Sequence, residues 1–375
     1  MKLVAKTLFG IEEVLSKELT ELGAQNVSIK KRAVEFEGDI ALLYKCCYKL
    51  KTALRILMPI HSFSFKSKKD YYNFVYRFNW SKFLSPDQSL AIQAVCHSRF
   101  FNHSKYLAQF TKDGIVDHLR KKFGKRPSVD IVNPDISIHV MVHEDKAEIS
   151  LDASGFSLHK RSYRQEKVSA PMNEALASGI LQLSGWDKKT TILDPMCGSG
   201  TLIFEAAILA MDIPMHLNKT FCFQRWPNYD QDIHEIIKQK VKMEVKEQSC
   251  DLYASDRTFR AVEAFKKNAE AFPNVTFNIK KDDFFQIKNH PAQFLIMNPP
   301  YDLRMRSKDI LDFYKRIGDA LKQNWKPCEA WIFSGNIDAI KSIGLKTSRK
   351  INLMNGQLPS KLHKFEVYEG SRRHK

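Results

Sequence analysis

The chain has 375 residues, 43% of them hydrophobic, enough to bury a large core and to form more than one domain. No apolar run approaches the roughly 18 to 20 residues that cross a bilayer. Acidic residues also interrupt MKLVAKTLFGIEEVLSKELT where a signal peptide needs unbroken apolarity, so a cytoplasmic location with no membrane partner is expected. The net charge is +17, and seven scattered cysteines without a C-x-x-C pair argue against a disulfide framework or a zinc site, which leaves a polyanion as the partner that the charge favours.

Residues 1–165 carry 27 Lys/Arg against 17 Asp/Glu, so the basic excess is concentrated in the smaller half. That half opens with a strand at Lys2 to Ala5 and a helix over Phe9 to Leu22, where Ile11, Leu15, Leu19 and Leu22 share one face. A strand around Val27 to Phe36, a helix from Asp39 to Lys49 and a strand from Ala53 to Ile60 complete a βαββαβ-like order, a small two-layer domain over residues 1–60. Residues 61–155 begin with the polar, Lys-rich HSFSFKSKKDYYNF. A strand from Ser89 to His97, a helix from Tyr106 to Phe123 and strands near Asp130 to Asn133, Ile136 to His143 and Ala147 to Leu151 follow.

The helix ends in Arg120, Lys121, Lys122, Lys125 and Arg126. Any one of these could answer the helix dipole or face solvent. Five cations within seven positions, preceded by Arg99, His103 and Lys105 with Phe100, Phe101 and Tyr106 interleaved, also fit a surface that grips RNA or DNA phosphates.

Asp152 to Pro171 lacks a hydrophobic period and reads as a linker, assigned here as residues 156–171. It holds Arg161, Tyr163 and Arg164 just ahead of a helix from Met172 to Leu183. The segment is either solvated or lies over a catalytic cleft, in which case these three would contact RNA.

Residues 172–375 alternate strand and helix as a doubly wound α/β sheet, a Rossmann-like architecture. TILDPMCGSGTLIFEAA is a buried strand that ends at Asp194, turns through Met196, Cys197, Gly198 and Gly200, and enters a helix from Thr201 to Met211. Gly200 is followed by Thr-Leu-Ile-Phe rather than Gly-Lys-Ser/Thr, so a phosphate cradle is not indicated. An acidic strand end suits a cationic, sulfonium-bearing amino acid, which points to S-adenosylmethionine. The next strand, DLYASD, ends at Asp256, whose carboxylate can accept both ribose hydroxyls, and a helix over Arg257 to Phe272 follows. TFNIKKDD then brings Asp282 and Asp283 to a third strand end, where one carboxylate can accept from the adenine amino group or simply sit in an exposed turn.

QFLIMNPP is a buried strand closed by two prolines, and Asn298-Pro299-Pro300-Tyr301 resembles the tetrad of amino-methyltransferases that act on adenine N6, guanine N2 or protein glutamine. An exocyclic amine is a poor nucleophile because its lone pair is delocalised. The Asn298 side-chain oxygen and the Pro299 carbonyl can each accept one amine N–H and localise that pair, while Tyr301 stacks on the flipped base. A helix from Asp309 to Gln323, a strand from Glu329 to Gly335 and two strands around Ser348 to Met354 and Lys361 to Tyr368 follow.

LHKRSYR, then APMNEALASGILQLSGW, then LDPMCGSGTLIFEAA resembles the THUMP-domain-containing bacterial guanosine-N2 RNA methyltransferases, and the match runs in order along essentially the whole chain. The resemblance implies a ferredoxin-like domain and a THUMP domain ahead of a class I methyltransferase sheet closed by an antiparallel hairpin. It also implies S-adenosylmethionine as cofactor, Asp283 as the acid on adenine, and structured RNA as partner, with 23S rRNA or a ribosome assembly intermediate foremost; with neither a C-x-x-C pair nor an H-E-x-x-H motif, no metal is expected. A tRNA guanine and an adenine-N6 nucleic-acid target are the alternatives. This chain has Ser162 where the family usually has glycine, and Asp302-Leu303-Arg304 where it commonly has Gly-Glu-Arg.

Overall fold

The computed structural model describes residues 1–166, 172–300, 307–325 and 327–368. Its first elements are β1 (Lys2–Lys6), α1 (Glu12–Glu21), β2 (Gln25–Lys30), β3 (Ala33–Glu37), α2 (Ile40–Lys49), β4 (Arg55–Ser64), α3 (Lys68–Arg77), β5 (Leu90–His97), α4 (Ser104–Phe123), β6 (Ile136–His143) and β7 (Lys146–Asp152). There follow α5 (Glu174–Ser184), β8 (Ile192–Asp194), α6 (Thr201–Ala210), α7 (Gln231–Met243), β9 (Leu252–Asp256), α8 (Phe259–Ala269), β10 (Phe277–Lys281) and β11 (Phe294–Met297). The last are α9 (Ser307–Asn324), β12 (Cys328–Ser334), β13 (Thr347–Asn355) and β14 (Leu358–Val367).

These elements form two compact units. One comprises Met1–Lys6, Ser16–Leu158 and His216–Val241; the other comprises Thr7–Leu15, His159–Met215 and Lys242–Lys375. The domains read from the sequence are consecutive, whereas each of these units takes a segment from within the other's span.

The first unit is built on a sheet ordered β2-β3-β1-β4-β7-β6-β5, antiparallel except for the β5/β6 pair. The βαββαβ order of its opening is as expected, but β4 runs on to Ser64 and so reaches β7 along its full length. Asp39 caps α2 by accepting the Leu42 N–H at 2.8 Å, and the helix buries Tyr44, Cys46, Cys47 and Tyr48. Tyr44 stacks on Phe223 with ring centroids 4.3 Å apart, and His234 is held between the hydroxyls of Tyr48 and Tyr229, each at 2.7 Å. The aromatic stretch after His216 therefore completes the core of this unit, although it interrupts the sequence of the other.

Two readings of this half need correction. The polar stretch after Ser64 contains helix α3, capped by Ser67, which accepts the Asp70 N–H; it buries only Tyr71 and Val75, one turn apart, so its apolar period is faint. Asp130 to Asn133 is a turn and not a strand. The Asp130 carboxylate takes the N–H groups of Val132 and Asn133 at 2.8 and 3.0 Å, which leaves Ile131 and Val132 more than four-fifths exposed.

The second unit carries a sheet ordered β10-β9-β8-β11-β12-β14-β13. The first five strands are parallel, and β14 runs antiparallel to both β12 and β13, the closing hairpin that the resemblance implies. Strand alternation sends Ile192, Ile296 and Phe333 into one core and Leu193, Leu295 and Ile332 into another, so both faces are covered. Every residue of α6 is buried. The order in which strands are added reverses between β8 and β11, and such a switch point is where open α/β sheets bind ligands.

Candidate active site

The strand register brings the sequence-predicted acids to one edge. Asp194 on β8 is opposite Ala254 on β9, and Asp256 lies two residues further along that strand. Lys281 on β10 is opposite Asp256, with Asp283 two residues beyond, and Leu193 is opposite Leu295 on β11, with Asn298 three residues beyond. All four stand at the carboxyl ends of adjacent parallel strands spaced about 4.8 Å apart.

Asp194 is buried, and its carboxylate accepts the Met196 N–H at 3.0 Å. Burial pushes its pKa up to about 8, the Met196 N–H opposes that, and the neighbouring Asp256 adds to it; no cation among the described residues relieves it. The Asp256 carboxylate takes three donors: Gly198 N–H at 3.1 Å, Thr258 N–H at 2.9 Å and the Thr258 hydroxyl at 2.8 Å. A carboxylate offers about four acceptor positions, so one is left where the sequence reading assigned two ribose hydroxyls.

Gly198 and Gly200 both have positive φ, at 54° and 93°. A Cβ on Gly200 would sit 2.4 Å from the Phe265 ring and 2.6 Å from the Phe204 ring, so glycine here lets the turn pack against α8 as well as bend. Met196 is half-buried, while Cys197 is buried and its thiol pKa is pushed up by burial, which suits a packing residue better than a nucleophile. Asp283 is half-buried and accepts the Phe285 N–H at 3.0 Å.

Asn298 is half-buried, and its Oδ1 is buried with no hydrogen-bond partner among the described residues. Pro299 is buried and Pro300 is exposed. Tyr301 and Asp302-Leu303-Arg304 lie outside the described residues. A buried oxygen without a donor costs roughly 1–3 kcal/mol, so the Oδ1 of Asn298 is an acceptor that the described residues leave open. Among the described residues no three His, Cys, Asp or Glu side chains gather as a metal centre.

Family models match the chain in three places: an RlmL ferredoxin-like domain over residues 2–57, a THUMP domain over 65–152 and an RMKL-like methyltransferase domain over 161–364. The chain belongs to the RMKL-like methyltransferase family. A Synechocystis sp. protein named as an RNA methyltransferase is 38% identical over 96% of this chain and 95% of its own length. The ribosomal RNA large subunit methyltransferase K/L of Syntrophotalea carbinolica is 32% identical over 98% of this chain, which spans 54% of that relative. Among solved structures, SMU.472, named as a methyltransferase and complexed with SAH, superposes with a TM-score of 0.87 at 27% identity, covering 99% of each chain.

Within this RMKL-like sheet the seam residues have a different use from the one expected. Arg161 donates from Nε to Glu205 at 3.3 Å, the Tyr163 hydroxyl donates to the same carboxylate at 3.2 Å, and the ion pair is about 1% exposed. Arg164 binds Glu174 at 2.7 Å, the Met172 carbonyl at 3.2 Å and the Thr201 hydroxyl at 3.0 Å. Buried in these contacts, the three side chains cannot reach RNA phosphates; Arg164 holds the first residue of α6, next to the glycine turn, and Arg161 and Tyr163 hold Glu205 one turn on.

Asn268 on α8 adds to this. Its side chain accepts the N–H groups of Gln165 and Glu166 and donates to the Ser199 carbonyl at 3.2 Å, clipping the seam to the turn. An asparagine near a helix end carries no motif, and nothing in the sequence marks it. By contrast Arg120, Lys121, Lys122, Lys125 and Arg126 are all exposed, with Lys122 donating to the Ser81 hydroxyl at 2.6 Å and Lys125 paired with Asp87.

Proposed function

We propose that this chain is an S-adenosylmethionine-dependent RNA methyltransferase that acts on the exocyclic N2 amine of a guanosine, with large-subunit rRNA as its substrate. The observation that carries the reading is the buried Oδ1 of Asn298, without a partner among the described residues, beside the acidic end of β8. The donor set fits the cofactor. An unneutralised buried carboxylate at Asp194 suits its cationic amino-acid end, the remaining acceptor position of Asp256 suits a ribose hydroxyl, and Asp283 suits the adenine amine.

When bound, the cofactor supplies a methyl group on a positively charged sulfur. Asn298 Oδ1 and the Pro299 carbonyl each accept one N–H of the target amine, drawing its lone pair out of the ring and aiming it. Positioning of this kind contributes much of the rate without a strong base, and the amine proton leaves after the new bond has formed. Tyr301 is assigned to stack on the extruded base.

Relatives named for large-subunit rRNA align along 98–99% of this chain, which supports rRNA over tRNA. Purified protein incubated with cofactor and rRNA from cells lacking it should restore one N2-methylguanosine, read by nucleoside mass spectrometry. Methylation of tRNA alone, or of adenine, would reject the substrate assignment.

A further inference from the structure

A cavity of about 490 Å³ opens on the first unit between β4 and the segment from α3 to Phe83. The rings of His61, Phe74, Phe78 and Phe83 line it, and Phe63 packs beside them. Phe63 stacks on Phe74 at 4.8 Å and approaches His61 at 4.8 Å; His61 stacks on Phe78 at 4.4 Å, and Phe78 on Phe83 at 5.7 Å. Strand alternation puts His61 and Phe63 on one face of β4, and helical spacing puts Phe74 and Phe78 on one side of α3 and its end. The core of this unit has its own aromatics, Phe65, Tyr71 and Phe101, all fully buried, whereas Phe74 is 38% exposed and His61, Phe78 and Phe83 are half-buried. The run is therefore surface that the fold does not consume.

Arg77, Asn79 and Lys82 form an exposed rim, and no carboxylate among the described residues lines the cavity. The rim continues into the basic end of α4, because Lys122 reaches Ser81, next to Lys82. His61 Nε2 is buried with no partner among the described residues.

We propose that this cavity binds one unpaired base of the RNA substrate, stacked on the exposed rings with its flanking phosphates along Arg77, Lys82 and the end of α4. Aromatic platforms edged by cations are how proteins hold single-stranded RNA, and the absence of an acidic rim favours RNA over a basic peptide. Burial lowers the pKa of His61, opposed by its hydrogen bond to the Phe74 backbone, so the ring serves the stack as an aromatic face rather than as a cation. The inference rests on the RNA reading above but concerns residues separate from the strand-end site.

The test is a titration of the full chain with a short single-stranded RNA carrying a fluorescent 2-aminopurine, for wild type, Phe74→Ser and Arg77→Gln. Both substitutions are at exposed positions, and unchanged thermal midpoints and S-adenosylhomocysteine affinity would show that the fold is kept. Wild type should change the probe's fluorescence, and Phe74→Ser should weaken binding by about fivefold or more, the equivalent of about 1 kcal/mol, with loss of that change. Wild-type affinity and fluorescence in both variants would overturn the inference and leave the RNA reading standing. No RNA binding by wild type would overturn both. Unchanged RNA binding with weakened self-association in Phe74→Ser would assign the cavity to a second copy instead.

Discussion

Two clusters of cations look alike in the sequence and differ in the fold. Arg161 and Arg164, with Tyr163 between them, lie buried on Glu205 and Glu174, while Arg120 to Arg126 stand exposed at the end of α4. The seam's acids are 10 and 44 residues away from the arginines they meet, and Glu205 is within an otherwise apolar helix. A charge run shows where cations are, and only the fold shows which of them have been neutralised. The first cluster belongs to the architecture of the cofactor turn, whereas every cation of the second stays exposed, with Lys125 paired to Asp87 at the surface.

The sharpest way to break this contrast is at Glu205. Glu205→Gln removes the buried carboxylate that the Arg161 guanidinium and the Tyr163 hydroxyl share and should cost about 3–5 kcal/mol, seen as a large fall in the thermal midpoint. The apolar set Arg161→Met, Tyr163→Phe and Glu205→Leu, which also removes the hydroxyl that Glu205 accepts from, should recover most of that loss. If Glu205→Gln melts like wild type, the seam is not structural.

An effect next in size is expected at the acid that lacks a cation. The raised pKa of Asp194 means that its protonated form favours the fold, a contribution complete below about pH 4 and lost as the pH rises toward about 8. Asp194→Asn should therefore raise the thermal midpoint of the cofactor-free protein, more at pH 8 than at pH 6, while removing cofactor binding. A midpoint that falls, or does not vary with pH relative to wild type, would count against an uncompensated acid. In wild type, cofactor affinity should rise with pH up to about 8 as Asp194 ionises.

The smallest effect concerns the exposed cluster. Lys121→Ala, Lys122→Ala and Lys125→Ala together should leave stability and cofactor affinity within error. They should weaken RNA binding and lower the salt dependence of log K by up to about 0.7 to 0.9 for each phosphate that is no longer neutralised. An unchanged salt slope would return these lysines to plain solvation.

Much of the catalytic unit was legible because its signals are local. Asp194, Gly198 and Gly200 fall on one strand-turn-helix, and buried parallel strands read as unbroken apolar runs such as FLIM. Long-range pairings were not legible. Asn268 on Ser199, Glu205 on Arg161 and the aromatic stretch after His216 that closes around α2 are all set by topology. Helix α3 was hidden for a different reason, since it buries only two side chains and its polar composition outweighs its period.

The central claim is that the buried side-chain oxygen of Asn298 receives the target amine and not the cofactor. Asn298→Ala, assayed for methyl transfer to rRNA and for S-adenosylmethionine binding by calorimetry, tests it most directly. Transfer should be lost while cofactor affinity stays close to wild type. Retained transfer, or loss of cofactor binding in its place, would contradict the account.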